Sequence, residues 1–173
     1  MRKIIISLTL TAILTGIFQV FAGATNGNDL FDKIKLLNTD IPEGFIYGTV
    51  PKYARDLIKD NPWELDQASI KKLADQIYPG GDYSKISSIH VSILTKKKTP
   101  LSDDIVCYLI LFKDANAAKD EIKKITEFAG FNQDRVIVET KKNLAVYLHV
   151  DDIRDYPLIR AISEKIRERL KGI

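Results

Sequence analysis

The chain of 173 residues contains one cysteine, one methionine, one tryptophan and 2 histidines, with only 9 glycines and 6 prolines. A single thiol, Cys107, forms no internal disulfide, so burial rather than cross-linking must hold the fold. So few glycines and prolines exclude a low-complexity linker or a fibrous repeat. No H-E-x-x-H, C-x-x-C, G-x-S-x-G or P-loop pattern occurs, which removes the motif-borne zinc, redox, serine-hydrolase and nucleotide chemistries. Neither sign of charge dominates, with 26 Lys+Arg against 23 Asp+Glu. A balanced surface gives no footprint for nucleic acid. No internal repeat, charge block or Pro/Gly/Ser tract divides the chain after residue 30.

One uncharged run is present, at residues 4–21, preceded by Arg2 and Lys3 and followed by Ala22-Gly23-Ala24. A positive start, an apolar middle and small residues flanking one position are the parts of a secretory signal. Cleavage is expected between Ala24 and Thr25. The competing reading is a retained anchor, but Ser7, Thr9, Thr11, Thr15, Gln19 and Gly16 dilute a run already at the short end for a bilayer. No cysteine near the junction allows lipid attachment. Losing residues 1–24 leaves 24 cationic against 23 anionic side chains. The expected organisation is a signal peptide at 1–24, a disordered leader at 25–29 and one domain at 30–173, exported to a bacterial periplasm or secreted, with no membrane contact after cleavage. Roughly 150 residues suffice to bury a core without staples.

Hydrophobic periodicity predicts a short helix from Leu30, a strand at 45–50, helical turns at 53–59 and a helix at 65–78 with Asp66 as N-cap. Pro79-Gly80-Gly81 stops it. Strands are expected at 89–93, 105–112, 135–140 and 144–150. A helix capped by Asp114 separates the second of these from the third, and a helix opened by Pro157 closes the chain. This order gives an α+β class: an antiparallel sheet of four to five strands with helices packed mainly on one face. The middle of the series resembles a ferredoxin-like split βαβ plait with an added strand and a C-terminal helix. The competing arrangement is two ββα units around one curved sheet. Such a fold-level likeness carries no site residues.

Candidate chemistry is sparse. His90 alternates with apolar neighbours and is expected on the less buried face of its strand. His149 shares a face with Tyr147 and Ala145, and Asp151 follows closely. If the strands neighbour one another, His90, His149 and Asp151 form a weak candidate metal or hydrolytic set; the plainer reading is two sheet-surface histidines. Adjacent residues of an extended chain point apart, so Asp103-Asp104 and Asp151-Asp152 read as turn chemistry rather than acid/base pairs. Lys96-Lys97-Lys98 and Lys141-Lys142 read as solvated connections. Cys107 sits in an apolar strand and reads as inert. Tyr47, Tyr53, Trp63, Tyr78 and Tyr83 supply either a ligand groove or core lids. The expectation is an exported, non-catalytic binding or accessory protein with a protein or small-molecule partner, no cofactor and no assigned catalytic or metal residue. The alternative is a small hydrolytic or metal-assisted enzyme. Mass spectrometry of the exported protein is expected to give a chain starting at Thr25; a full-length mass would show the anchor reading to be correct.

Overall fold

The strand sequences Ile105–Phe112 and Leu144–Val150 are apolar at consecutive positions, so both of their faces must be covered. That requirement sets the architecture. In this computed structural model residues 27–49, 62–97 and 104–173 are described. The junction at Ala24-Thr25, the turns at 53–59 and Asp103 lie outside them. Helix α1 spans Gly27–Ile34, strand β1 Phe45–Tyr47, β2 Trp63–Glu64, α2 Gln67–Ile77, β3 Ile86–Lys96 and β4 Ile105–Phe112. Helix α3 follows at Ala115–Gly130, then β5 at Val136–Lys141, β6 at Leu144–Val150 and α4 at Tyr156–Lys171.

The fold is α+β, with a six-stranded sheet in the order β1-β3-β4-β6-β5 and β2 also paired to β3. Every pairing is antiparallel. Strand β6 lies between β4 and β5, which α3 connects, so one split β-α-β unit is present. The complete plait order is not; β3-β4-α3 and β5-β6-α4 run in succession as two ββα units around one sheet. The sheet exceeds the expected four to five strands because the two-residue β2 pairs beside β1 along the outer edge of β3.

The expectation of helices mainly on one face is corrected: two helices cover each side. Ile89, Val91, Ile93, Ile110, Phe112 and Tyr147 meet α2 and α3. Leu94, Cys107, Leu109, Val146, Leu148 and Val150 meet α1 and α4. The physical reason is the two-sided apolar character of β4 and β6, which a single helical layer leaves half wet. Helix α1 begins at Gly27. Starting there gives the turn that sets Leu30 and Ile34 on one side, four residues apart, where both are buried.

Local chemistry fixes the helix ends. Asp66 accepts from the Ser69 N–H at 2.8 Å and Asp114 from the Ala117 N–H at 2.8 Å, capping α2 and α3. After α2 the chain turns at Gly80, whose φ is +82°, a conformation that favours glycine. A Cβ on the next residue, Gly81, would lie 1.7 Å from the Tyr78 ring.

Charges join the helices to the rest. Glu121, on α3, has no solvent exposure. It accepts from the Asp82 N–H at 2.7 Å, Lys124 Nζ at 2.9 Å and Lys85 Nζ at 3.4 Å. Asp40, also buried, accepts from Arg169 Nη2 of α4 at 2.7 Å and from the Leu37 N–H at 2.8 Å. Glu139 of β5 accepts from Ser163 Oγ at 2.6 Å and Arg167 Nη2 at 2.5 Å, both on α4. Lys96, read as a solvated lysine, instead reaches Asp155 at 2.7 Å. Replacing Glu121 strands one buried N–H and two lysines. Glu121→Ala is expected to lose about 2–4 kcal/mol in urea unfolding, and Glu121→Gln, which keeps an acceptor for the Asp82 N–H, clearly less.

Candidate ligand groove

The two histidines are not brought together. Cross-strand partners share a face, and His90 pairs with Leu109 while His149 pairs with Val106. Leu109 and Val106 belong to opposite cores, so the rings lie on opposite sides of the sheet. Among the described residues no group of three or more His, Cys, Asp or Glu side chains is placed to hold a metal ion. The face expected to be the less buried one for His90 is covered by a helix. His90 is 7 % exposed and stacks on Phe31 of α1 with ring centroids 3.7 Å apart. Alternation along β3 does direct it away from Val91, but α1 covers that second face as well. Asp151 does lie beside His149, its Oδ1 3.7 Å from Nδ1, and Asp152 points elsewhere, to Arg154. The adjacent carboxylates diverge as their extended backbone requires.

Cys107 is buried on both sides, and burial pushes its thiol up to about 12. A thiol in that state is neither nucleophile nor ligand near neutral pH. Among the aromatics, Tyr47 donates to the Leu36 carbonyl at 2.8 Å and Tyr78 is wholly buried; both are core lids. Tyr53 lies outside the described residues.

A concave site instead opens between α2 and α3, over the sheet. Its volume is about 250 Å³, and Gln76, Ile77, Tyr108, Phe128, Asn132, Val136, Tyr147 and His149 line it. The tyrosines form the floor. They are direct cross-strand partners on β4 and β6, with ring centroids 6.0 Å apart and planes tilted by 57°, within the favourable range for an aromatic pair. His149 and Val136, also cross-strand partners, form one end. Gln76 and Ile77 come from the last turn of α2, Phe128 and Asn132 from the close of α3. Asn132 is held in place by its own backbone: its carbonyl accepts from the Arg135 and Val136 N–H groups at 3.0 and 2.9 Å. Beside it Phe131 is 87 % exposed.

The electrostatics of this groove are those of neutral dipoles. Burial lowers the His149 pKa below the ordinary imidazole value, and Arg135 adds to this while Asp151 opposes it. Burial pushes the Tyr147 hydroxyl up to about 12. The lining at neutral pH is therefore two phenols, two amides and an uncharged imidazole over apolar carbon. Tyr147 is 4 % exposed, yet its hydroxyl has no hydrogen-bond partner among the described residues. The Tyr78 hydroxyl is the fully buried one without a partner among the described residues; that of Tyr147 stays within reach of water, which a ligand's hydrogen-bonding group can replace. Of the groove residues, only His149 was singled out in the sequence as a candidate. The signal for Tyr108 and Tyr147 was that tyrosine stands at inward-facing positions of two mainly aliphatic strands.

Compared with known protein families, with curated proteins and with solved structures, the chain matches none. The site therefore stands on its own geometry.

The lowered histidines make stability depend on pH. His90 and His149 both have folded pKa values below their unfolded ones, each chiefly through burial. The unfolded chain then binds more protons than the folded one as pH falls through about 6.5. Their neutral forms thus favour the fold above that pH, and this contribution is lost on acidification through the folded pKa values. The urea midpoint is expected to fall between pH 7 and pH 5. The drop should be smaller in His149→Asn, whose side chain carries no proton to gain. An equal drop in that variant would show that His149 does not contribute.

Proposed function

We propose that this is a non-catalytic binding protein of the bacterial envelope, exported through its N-terminal segment, that holds a small ligand in the α2–α3 groove. The single observation carrying this reading is the concave floor of paired tyrosines, Tyr108 and Tyr147, bordered by the amides of Gln76 and Asn132 and the uncharged His149. Tilted aromatic rings with amides above them suit a ring-bearing ligand with uncharged hydroxyl or amide groups. An anion or cation meets no opposite charge among the groove-lining side chains. Small ligand pockets of mixed apolar and dipolar lining have this character.

Tyr147→Phe separates binding from folding. It removes one oxygen and no hydrogen bond to the described residues, so its thermal midpoint should equal or exceed that of the parent. Benzyl alcohol serves as a neutral ring probe, with benzoate and benzylammonium as charged comparisons, followed by saturation-transfer NMR. Benzyl alcohol is expected to bind the parent more tightly than either ion. In Tyr147→Phe its affinity should fall about two- to tenfold, the worth of one neutral hydrogen bond. Unchanged affinity in Tyr147→Phe and in Asn132→Ala would overturn the groove as the binding site.

A further inference from the structure

On the other side of the sheet, α1 and β2 border a second groove of about 340 Å³, lined by Phe31 and Asp32 of α1, by Pro62, Trp63 and Glu64 at β2, and by His90. Glu64 and His90 are cross-strand partners, so their side chains share a face. His90 is more than nine-tenths buried, but its ring makes no hydrogen bond among the described residues. Its Nε2 points to Glu64 Oε1 across 4.0 Å, beyond hydrogen-bond length. Glu64 is about half exposed and pairs with no lysine or arginine among the described residues. Asp32 is close enough to act electrostatically on the same imidazole.

We infer that this groove is a second binding site, for a primary ammonium group held between Glu64 and His90 against the Phe31 wall. Three observations select that chemistry. The first is spacing: a nitrogen about 2.9 Å from both Nε2 and Oε1 subtends roughly 90° across the 4.0 Å gap, near the spread between two N–H bonds of an ammonium. The second is charge: Lys35 offsets Asp32, which leaves the Glu64 carboxylate as the rim charge that favours a cation and disfavours an anion. The third is an internal precedent. The molecule's own Lys35 places its ammonium 2.6 Å from Asp32 Oδ1 and 5.6 Å from the Phe31 ring centroid, so this acidic and aromatic wall already holds one primary ammonium. A quaternary ammonium lacks the N–H donors that His90 and Glu64 accept from. Metal ions are disfavoured because, among the described residues, no three ligating side chains are placed to hold one.

The chain has only 2 histidines, so the His90 ring proton signals are readily assigned by comparison with His149→Asn. The test titrates n-butylammonium chloride into the full-length protein at pH 7.5 and follows those signals by NMR. Sodium chloride at equal ionic strength, tetramethylammonium and butyrate serve as controls. A saturable shift of His90 by butylammonium is expected, with at least fivefold weaker effects from all three controls. Glu64→Gln, at an exposed position where the amide keeps the shape, should weaken butylammonium at least fivefold without moving the thermal midpoint. Equal shifts from butylammonium and sodium chloride, or a Glu64→Gln response equal to the parent's, would overturn the site and leave only a water bridging Glu64 and His90. Given binding, vesicles containing phosphatidylethanolamine, compared with phosphatidylcholine, separate the two sources of the ammonium. Co-sedimentation with the former alone assigns a lipid headgroup; binding of free butylammonium without co-sedimentation assigns a soluble amine. Because the two grooves lie on opposite faces, the result is independent of Tyr147.

Discussion

Two strands that are apolar on both faces govern this structure. β4 and β6 carry large aliphatic or aromatic side chains at nearly every position, and an antiparallel sheet that is hydrophobic on both sides cannot leave either one to water. Two helices on each face follow from that demand, as does the burial of Cys107. So does the position of His90, whose side chain would stand in solvent if the sheet had a single helical layer. The short strands β1 and β2 complete the arrangement by covering the outer edge of β3, where an unpaired row of backbone groups would invite association.

Apolar burial places the helices against the sheet, and carboxylates, two buried and one half-buried, tie them to it. Glu121 joins α3 to the turn before β3, Asp40 joins the segment after α1 to α4, and Glu139 joins α4 to β5. Each is supplied by more than one donor. A charge taken out of water is tolerable only when its lone pairs are met, so each of these contacts accepts few alternative geometries. The helices are thereby registered on the sheet more narrowly than nonpolar contact alone achieves.

That registration leaves gaps as well as contacts. The divergence of α2 and α3 uncovers the paired tyrosines of β4 and β6, and α1, which covers His90 through Phe31, leaves Glu64 beside it exposed. The two sites differ in chemistry because different elements border them. Amides and phenols surround the first, where burial suppresses charge. Carboxylates on an exposed edge surround the second, where water still supports them. Both have a nearly buried polar residue, Tyr147 or His90, in their lining with no hydrogen bond from its side chain among the described residues.

The sequence by itself determined the elements. Period-2 and period-3.6 patterns, the caps Asp66 and Asp114, the glycines after α2 and the early proline of α4 are local signals, and the strands and helices they mark among the described residues are present, with β4 and β6 at the bounds their patterns indicate. β2 escaped because two residues carry no period. The sequence also showed that Asp151 and Asp152 diverge and that Cys107 is buried, since both follow from strand geometry. Which face each helix covers, and which strands are neighbours, was decided only in three dimensions, because the apolar faces of β4 and β6 are equivalent to any local reading. That undetermined choice separates His90 from His149, places the uncharged Glu-free lining around Tyr147, and buries Glu121 on a helix face whose spacing alone reads as aliphatic. Sites made by distant segments depend on packing, and packing is set by the whole chain's competition to bury its surface rather than by any window of it.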